Sequence, residues 1–375
     1  MIFTASKKEL LRLIGRALGA VDRKSPMPIL SNVLMQASDG RVTISATDLY
    51  LAVTGSSNAD VEHEGSFAAP ARDLFDRVKA MQDGPVTIKL DDGKLEVRAK
   101  GNARRYKIHG LSGDNFPNLT DQKDMVQFDI NALIFASLMR LTSYAVSTDE
   151  TRPHLNALLI EWLDKQIRMV GTDGHRLAYA DANVDCPKVA TILIPLKAAL
   201  EVKKMVDELV SSSVKGTTPM ITMGIAGPNA FFTVGDVMLT VKMVDAQFPA
   251  YQQVIPSGLD KTIMIPRVQM IDSVRAVALA SPDRTGGVKV QLSRGTMVIS
   301  SESPEGGDGS DEIPVDYSGS DVSVGFNAKY LVDVLSIFDQ DEVTMLLGEN
   351  LDPVLFRPAS ESGGKAESVV MPMRL

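Results

Sequence analysis

The sequence predicts an α+β fold of three repeated domains, each with two helices packed on antiparallel sheets, and three observations lead there. A strand-then-helix pattern occurs three times, and a second helical segment recurs after a hairpin region in every copy. Each second helix is then followed by two alternating apolar segments with Asp, Gly or Asn between them. The 375 residues suffice for two or three cores at about 150 residues per domain.

The first copy opens with a strand at residues 2–4 and a helix whose apolar positions Leu10, Leu11, Ile14, Ala17 and Leu18 define one buried face. The second opens at 126–128 and continues through Ile134, Phe135, Leu138, Leu141 and Ala145. The third opens at 263–265, with Met270, Ile271, Val274, Val277 and Ala278. Second helices begin near Ala69-Pro70-Ala71, Ile194-Pro195-Leu196 and Phe326-Asn327-Ala328. The repeat therefore runs to roughly 125–130 residues, too long for a solenoid unit, and each copy should have its own core. Period-2 alternation predicts hairpins at 86–90 with 94–98, 220–223 with 230–234, and 343–347 with 354–356. The copies close on Phe116-Pro117-Asn118-Leu119, Phe248-Pro249-Ala250-Tyr251 and Val370-Met371-Pro372-Met373, which sets domains at 1–122, 123–257 and 258–375.

Thirty-nine Lys plus Arg against 47 Asp plus Glu leave a net charge of −8, so any contact with nucleic acid must be local. Cys186 is the one cysteine, which excludes a disulfide scaffold, and the scattered His63, His109, His154 and His175 offer no zinc site. No metal or cofactor is expected. Neither a signal peptide nor an apolar run long enough to span a bilayer is evident, so a cytoplasmic protein without membrane contact is expected.

Catalytic motifs are sparse. No phosphate-binding glycine loop occurs: Gly363-Gly364-Lys365-Ala366 lacks the spacing, and Gly306-Gly307-Asp308-Gly309 lies in the acidic segment 302–312, read as a solvated loop. Thr172-Asp173-Gly174-His175-Arg176 combines a hydroxyl, an acid and a base, but Thr47-Asp48-Leu49-Tyr50 fills the same slot in the first copy. A shared Thr-Asp is most simply a turn in which Asp bonds its own backbone. A catalytic dyad stays open if a carboxylate from elsewhere orients His175. Basic residues recur on helix faces: Lys8, Arg12 and Arg16, then Arg23 and Lys24, Lys197 and Lys204, and Arg267 and Arg275. They form either solvated faces or equivalent faces directed at one polyanion.

Pro28-Ile29-Leu30, Thr172-Asp173-Gly174-His175-Arg176-Leu177, Phe248-Pro249-x-Tyr251 and the terminal Val369-Val370-Met371-Pro372-Met373-Arg374-Leu375 together resemble the bacterial DNA sliding clamp, the beta subunit of DNA polymerase III. The resemblance spans the whole chain. It implies clamp-type domains forming half of a six-domain ring, a head-to-tail homodimer that encircles duplex DNA as a non-catalytic processivity factor. The implied partners are the replicative polymerase alpha subunit, the clamp loader, and other polymerases and repair proteins carrying clamp-binding peptides. The implied peptide pocket comprises Leu155, Thr172, Gly174, His175, Arg176, Leu177, Pro249, Val254, Val369, Val370, Met371, Pro372, Met373, Arg374 and Leu375. The implied DNA contacts are Arg23, Lys24, Arg152, His154 and Lys197. Ring closure would bring Arg104, Arg105, Tyr106 and Ile108 against Leu279, Ala280, Glu302 and Glu305 of a second copy. Departures from the family pattern fall at Asp149, Pro153, His154, Gln253 and the small Ala280. Two rival classes are an enzyme using Asp173 and His175 and a peptide-binding scaffold that ignores DNA.

Overall fold

The computed structural model describes all residues except 100, 102, 120–123, 282–285, 304–306, 350, 361–363 and 375. Glu305, Leu375, Gly363, Gly306 and the expected 122/123 boundary therefore lie outside the described residues. The first repeat supplies β1 (Ile2–Ser6), α1 (Lys7–Ala17), β2 (Asn32–Ser38), β3 (Arg41–Thr47), β4 (Leu51–Asn58), β5 (Asp60–His63), β6 (Gly65–Pro70), α2 (Ala71–Lys79), β7 (Pro85–Asp91), β8 (Lys94–Ala99), β9 (Arg105–His109) and β10 (Leu111–Ser112). The middle repeat supplies β11 (Val126–Asn131), α3 (Ala132–Thr142), β12 (Ala157–Leu163), β13 (Gln166–Thr172), β14 (Arg176–Asn183), β15 (Ala190–Pro195), α4 (Leu196–Ser212), β16 (Met220–Ala226), β17 (Asn229–Val234) and β18 (Val237–Lys242). The third supplies β19 (Lys261–Pro266), α5 (Arg267–Val277), β20 (Gly287–Ser293), β21 (Thr296–Ser303), β22 (Gly307–Pro314), β23 (Val322–Asn327), α6 (Ala328–Ser336), β24 (Glu342–Leu347), β25 (Val354–Pro358) and β26 (Ala366–Val370).

Local chemistry sets the helix starts. Ser6 caps α1 by accepting the Glu9 N–H at 3.2 Å, and Asn327 caps α6 by accepting the Lys329 N–H at 2.9 Å. Pro70 and Pro266 end strands and sit at the N-caps of α2 and α5. The buried faces correct the expected ones by one position or so. On α1 they are Leu10, Leu13, Ile14 and Ala17, with Leu11 and Leu18 only half-buried, because the 3.6-residue period selects i, i+3, i+4 and i+7. On α3 Phe135, Leu138 and Met139 are buried while Ile134 and Leu141 are half-buried; Ala145 belongs to a short 3₁₀ turn, Ser143–Ala145. On α5 Met270, Val274 and Val277 are buried and Ile271 is not.

Two compact units result, 1–132 with 201–243 and 133–200 with 244–375, so the middle repeat is divided between them. Sheet pairing explains the division. In the first unit one sheet runs β10-β6-β2-β3-β4-β18-β17-β16-β11, joining strands of the first and middle repeats through β4 and β18. In the second unit a sheet runs β15-β12-β13-β14-β26-β25-β24-β19, joining the middle and third repeats through β14 and β26. Apart from the additional β10, the two orders correspond strand for strand. The remaining sheets, β5-β1-β7-β8-β9 and β22-β21-β20-β23, stay within one repeat each and end on β9 and β22. The acidic 307–312 segment is thus the start of a strand paired to β21, not a loop, because alternating Ile313 and Val315 anchor its far end in the core.

The basic stripe on α1 also needs correction. Arg12 bonds Glu9 and, at 2.8 Å, Asp236, and Arg16 is paired with Glu208. Carboxylates of the same unit therefore consume two of its three charges, and only Lys8 stands exposed.

Where β4 meets β18, Gly55 leaves no room for a side chain: an added Cβ would lie 2.8 Å from Leu13 Cδ2 and 3.1 Å from Val237 Cγ2. Gly55→Val is expected to lower stability by about 1–3 kcal/mol through overpacking between α1 and the sheet. Urea unfolding monitored by circular dichroism measures it; an unchanged midpoint would mean that the helix can retreat from the sheet freely.

Candidate functional site

Thr172-Asp173-Gly174-His175 is a tight turn between β13 and β14. The Asp173 carboxylate accepts the backbone N–H groups of His175 (2.9 Å) and Arg176 (3.0 Å), and Thr172 Oγ1 accepts that of Gly174 (3.2 Å). Gly174 adopts φ +90°, a conformation that a Cβ disfavours. Asp173 thus serves the backbone. The His175 imidazole stacks on the Tyr330 ring at 6.3 Å, and among the described residues no carboxylate bonds to it, so the condition for a catalytic dyad is unmet.

Arg176, only 7% exposed, is the centre of a polar bracket. It donates to Asp173 (3.0 Å), Asp333 (2.6 Å) and the Tyr144 carbonyl (2.8 Å). Its guanidinium lies 5.2 Å from the Tyr144 ring centre and 4.6 Å from that of Tyr330. Tyr144 in turn donates to Ser368 Oγ at 2.9 Å, and burial pushes its hydroxyl pKa above the ordinary value. Arg176 therefore fastens β14 to α6 and to the strand that carries the C-terminal tail. Beyond that strand, Met371 N bonds the His175 carbonyl (2.9 Å) and Met373 N bonds that of Gly325 (2.8 Å).

Beside the bracket lies an apolar floor. Leu177, Val369 and Tyr251 share one buried cluster with Leu159, Val170, Leu193 and Leu355, and Phe248 packs on its edge. Leu155 is buried as well. Gly174, His175, Pro249 and Arg374 are exposed, while Val254, Met371, Pro372 and Met373 are half-buried. Val370 is a correction: strand alternation turns it into the opposite core, with Val354 and Phe356, so it cannot line the same surface as Val369. A second polar network went unnoticed in the sequence. Tyr251 donates to Glu161 (2.7 Å) and accepts from Arg168 (3.3 Å), which also pairs with Asp181 (2.9 Å). Tyr179 bonds the buried Glu367, itself paired with Arg357 (2.5 Å) and Lys365 (3.1 Å). The Tyr of Phe-Pro-x-Tyr was the only visible signal of this network.

The residues expected at DNA fall in both units. Arg23 and Lys24 are exposed on a turn of the first unit, where Asp22 accepts the Lys24 N–H at 2.9 Å. In the second unit Lys197 is exposed and His154 half-buried, and Arg152 pairs with Asp149 at 2.9 Å. Of the residues expected at a subunit contact, Arg105 is exposed on the edge strand β9 and Tyr106 is half-buried. Arg104, also exposed, donates to the Ala80 carbonyl. Ile108 is 2% exposed and packs into its own domain, so it offers almost no surface. Leu279 is 88% exposed, Ala280 half-buried and Glu302 exposed.

Because Arg176 neutralises two carboxylates in a nearly dry site, Arg176→Ala is expected to cost about 3 kcal/mol or more. Arg176→Lys should not restore it, since an ammonium cannot stack between two rings while bonding three acceptors. Urea unfolding of both variants decides: full stability in the lysine variant would show that charge alone suffices.

Comparison with known proteins agrees with this architecture. Residues 1–120, 129–250 and 252–374 match the families described as DNA polymerase III beta subunit, N-terminal, central and C-terminal domain, respectively. The beta sliding clamp of Pseudomonas putida is 30% identical over 379 residues, covering 100% of both chains. The crystal structure of the DNA polymerase III subunit beta from Pseudomonas aeruginosa superposes with a TM-score of 0.92 at 29% identity, again covering 100% of both chains. A sliding clamp from that organism bound to griselimycin matches with the same TM-score and identity over 100% of both chains. With all three repeats matched in order and over full length, the chain belongs to the DNA polymerase III beta subunit family, the bacterial sliding clamps.

Proposed function

We propose that two copies of this chain close head to tail into a ring around duplex DNA, where they act as a sliding clamp and processivity factor. The domains are taken as 1–122, 123–257 and 258–375. The observation that carries this reading is that two of the edge strands, β9 and β22, are the repeat counterparts of strands that pair at the other junctions. Two of the three repeat junctions are made by strand pairing, β4 with β18 and β14 with β26. By the same rule β22 should pair with β9, and within the first and fourth sheets both are edge strands. A second copy supplies the missing partner, and a heterologous contact that closes gives a ring and removes both edges.

The register of that contact is taken from the internal repeat. His109 faces Lys94 as Lys242 faces Asn229, and Glu302 faces Asp308 as Thr47 faces Ala52. Val237 pairs with Gly55 and Thr240 with Ala52. Carried over, this register would set Arg104 opposite Asp311 and Lys107 opposite Asp308 of the other copy. The Ser273 hydroxyl and the Glu312 backbone N–H hold the Asp311 carboxyl below its usual pKa. Opposite charges across a junction fix register and favour encounter.

The apolar cluster of Leu177, Val369 and Tyr251, with exposed Pro249 close by in the chain, suits a short linear peptide, which anchors by seating a few side chains in a concave site. Polymerase alpha subunit, clamp loader, other polymerases and repair proteins would then share it. The exposed basic groups would touch phosphate without reading bases. No residue of the turn is left to do chemistry in this reading, so the protein is non-catalytic and relies on another protein to open the ring. It works with DNA in the cytoplasm, and no described helix is long and apolar enough to cross a membrane.

Two measurements test the reading. With a matching clamp loader and ATP, the protein should stay on nicked circular DNA at moderate salt and leave once the DNA is linearised; equal retention on both forms would mean ordinary electrostatic binding. Lys107→Glu should weaken the dimer in analytical ultracentrifugation, and adding Asp308→Lys should restore it. A double variant no better than the single one would reject the register.

A further inference from the structure

The turn in the second unit has a counterpart in the first, bond for bond. Leu49 N donates to Thr47 Oγ1 at 2.9 Å, as Gly174 N does to Thr172. Tyr50 N and Leu51 N donate to Asp48 Oδ1 at 2.9 and 2.7 Å, as His175 N and Arg176 N do to Asp173. Lys242 N bonds the Tyr50 carbonyl at 2.8 Å, as Met371 N bonds that of His175. Pro117 follows Phe116 as Pro249 follows Phe248. Leu49, Tyr50 and Lys242 therefore stand where Gly174, His175 and Met371 stand, and the chemistry presented differs.

Leu49 holds φ +76°, where its counterpart is glycine, and it is 51% exposed; Tyr50 is 65% exposed. A branched side chain in a left-handed conformation is strained, and strain kept at an exposed apolar residue points to use. These two side chains border a crevice of about 80 Å³ with Pro117, Leu119, Asn229 and Lys242. The Lys242 ammonium lies 5.7 Å from the Tyr50 ring centre and pairs with no carboxylate among the described residues.

We propose that this crevice is a second docking site, for an extended peptide that seats one small aliphatic side chain among Leu49, Pro117 and Leu119 and presents a carboxylate to Lys242. The volume admits one side chain, and Lys242 is the one cation in the lining among the described residues. The class of occupant rests on the peptide reading of the pocket in the second unit. A surface of this kind would let one copy hold two segments of one partner, or two partners, by different chemistry.

The test is methyl NMR of the full-length protein labelled at Leu and Val, titrated with acetyl-Ala-Val-Asp-Ala-amide. Methyl shifts at Leu49, Leu51 and Leu119 are expected. Lys242→Ala should weaken binding several-fold and Lys242→Arg should retain it. Leu49→Gly should raise the melting temperature by relieving strain while weakening the peptide, a split that a purely structural role would not produce. Absence of shifts at Leu49, Leu51 and Leu119 overturns the second site, whatever happens at Leu155, Leu177 and Val369, whose response tests the other pocket separately.

Discussion

Everything in this fold depends on backbone pairing between strands of successive repeats. β4 on β18 and β14 on β26 are ordinary antiparallel ladders, yet each turns two half-sheets into one sheet of eight or nine strands. An unpaired edge inside such a sheet would strand a row of N–H and C=O groups, so the pairing is demanded by hydrogen bonding before any side chain is considered. The same demand is unmet at the edge strands β9 and β22, where the proposed second copy would pair.

Side chains then decide what each junction can do. At β14 and β26 the junction is fastened by Arg176 between two tyrosines and two aspartates, with an apolar floor alongside. At β4 and β18 the turn keeps its backbone bonds but carries Leu49, Tyr50 and Lys242. One scaffold has thus produced two surfaces of different polarity. At the proposed β9 and β22 junction, charge replaces packing: cations on one edge face carboxylates on the other. An acidic molecule with a net charge of −8 can build such a contact because salt screens the total charge over about 10 Å while close pairs act locally.

The Thr-Asp motif shows how repetition separates scaffold from function. With one copy, Asp173 and His175 resemble part of an active site. With two copies, Asp48 and Asp173 perform the same backbone task, and only the residues that differ between the turns remain to be explained. Arg176 falls among these. The resemblance implies a place for it in the peptide pocket, and within the chain three hydrogen bonds and two ring faces hold it.

The sequence alone determined the triple repeat, the α+β class, the helices and hairpins of each copy, and the turn at residues 172–175, because periodicity, capping and turn chemistry act over a few neighbours. Helix faces were legible to within about one position, since Leu11 and Leu13 are equally apolar and only contact with the sheet selects Leu13. Tertiary structure alone decided that the middle repeat would be shared between two packing units, that Val370 and Ile108 would point inward, and that Arg12 and Arg16 would be neutralised by Asp236 and Glu208. Those outcomes are set by strand pairing and ion pairs between residues up to 224 positions apart. No local pattern encodes which distant carboxylate meets a given arginine, or which face of a strand its neighbours will cover.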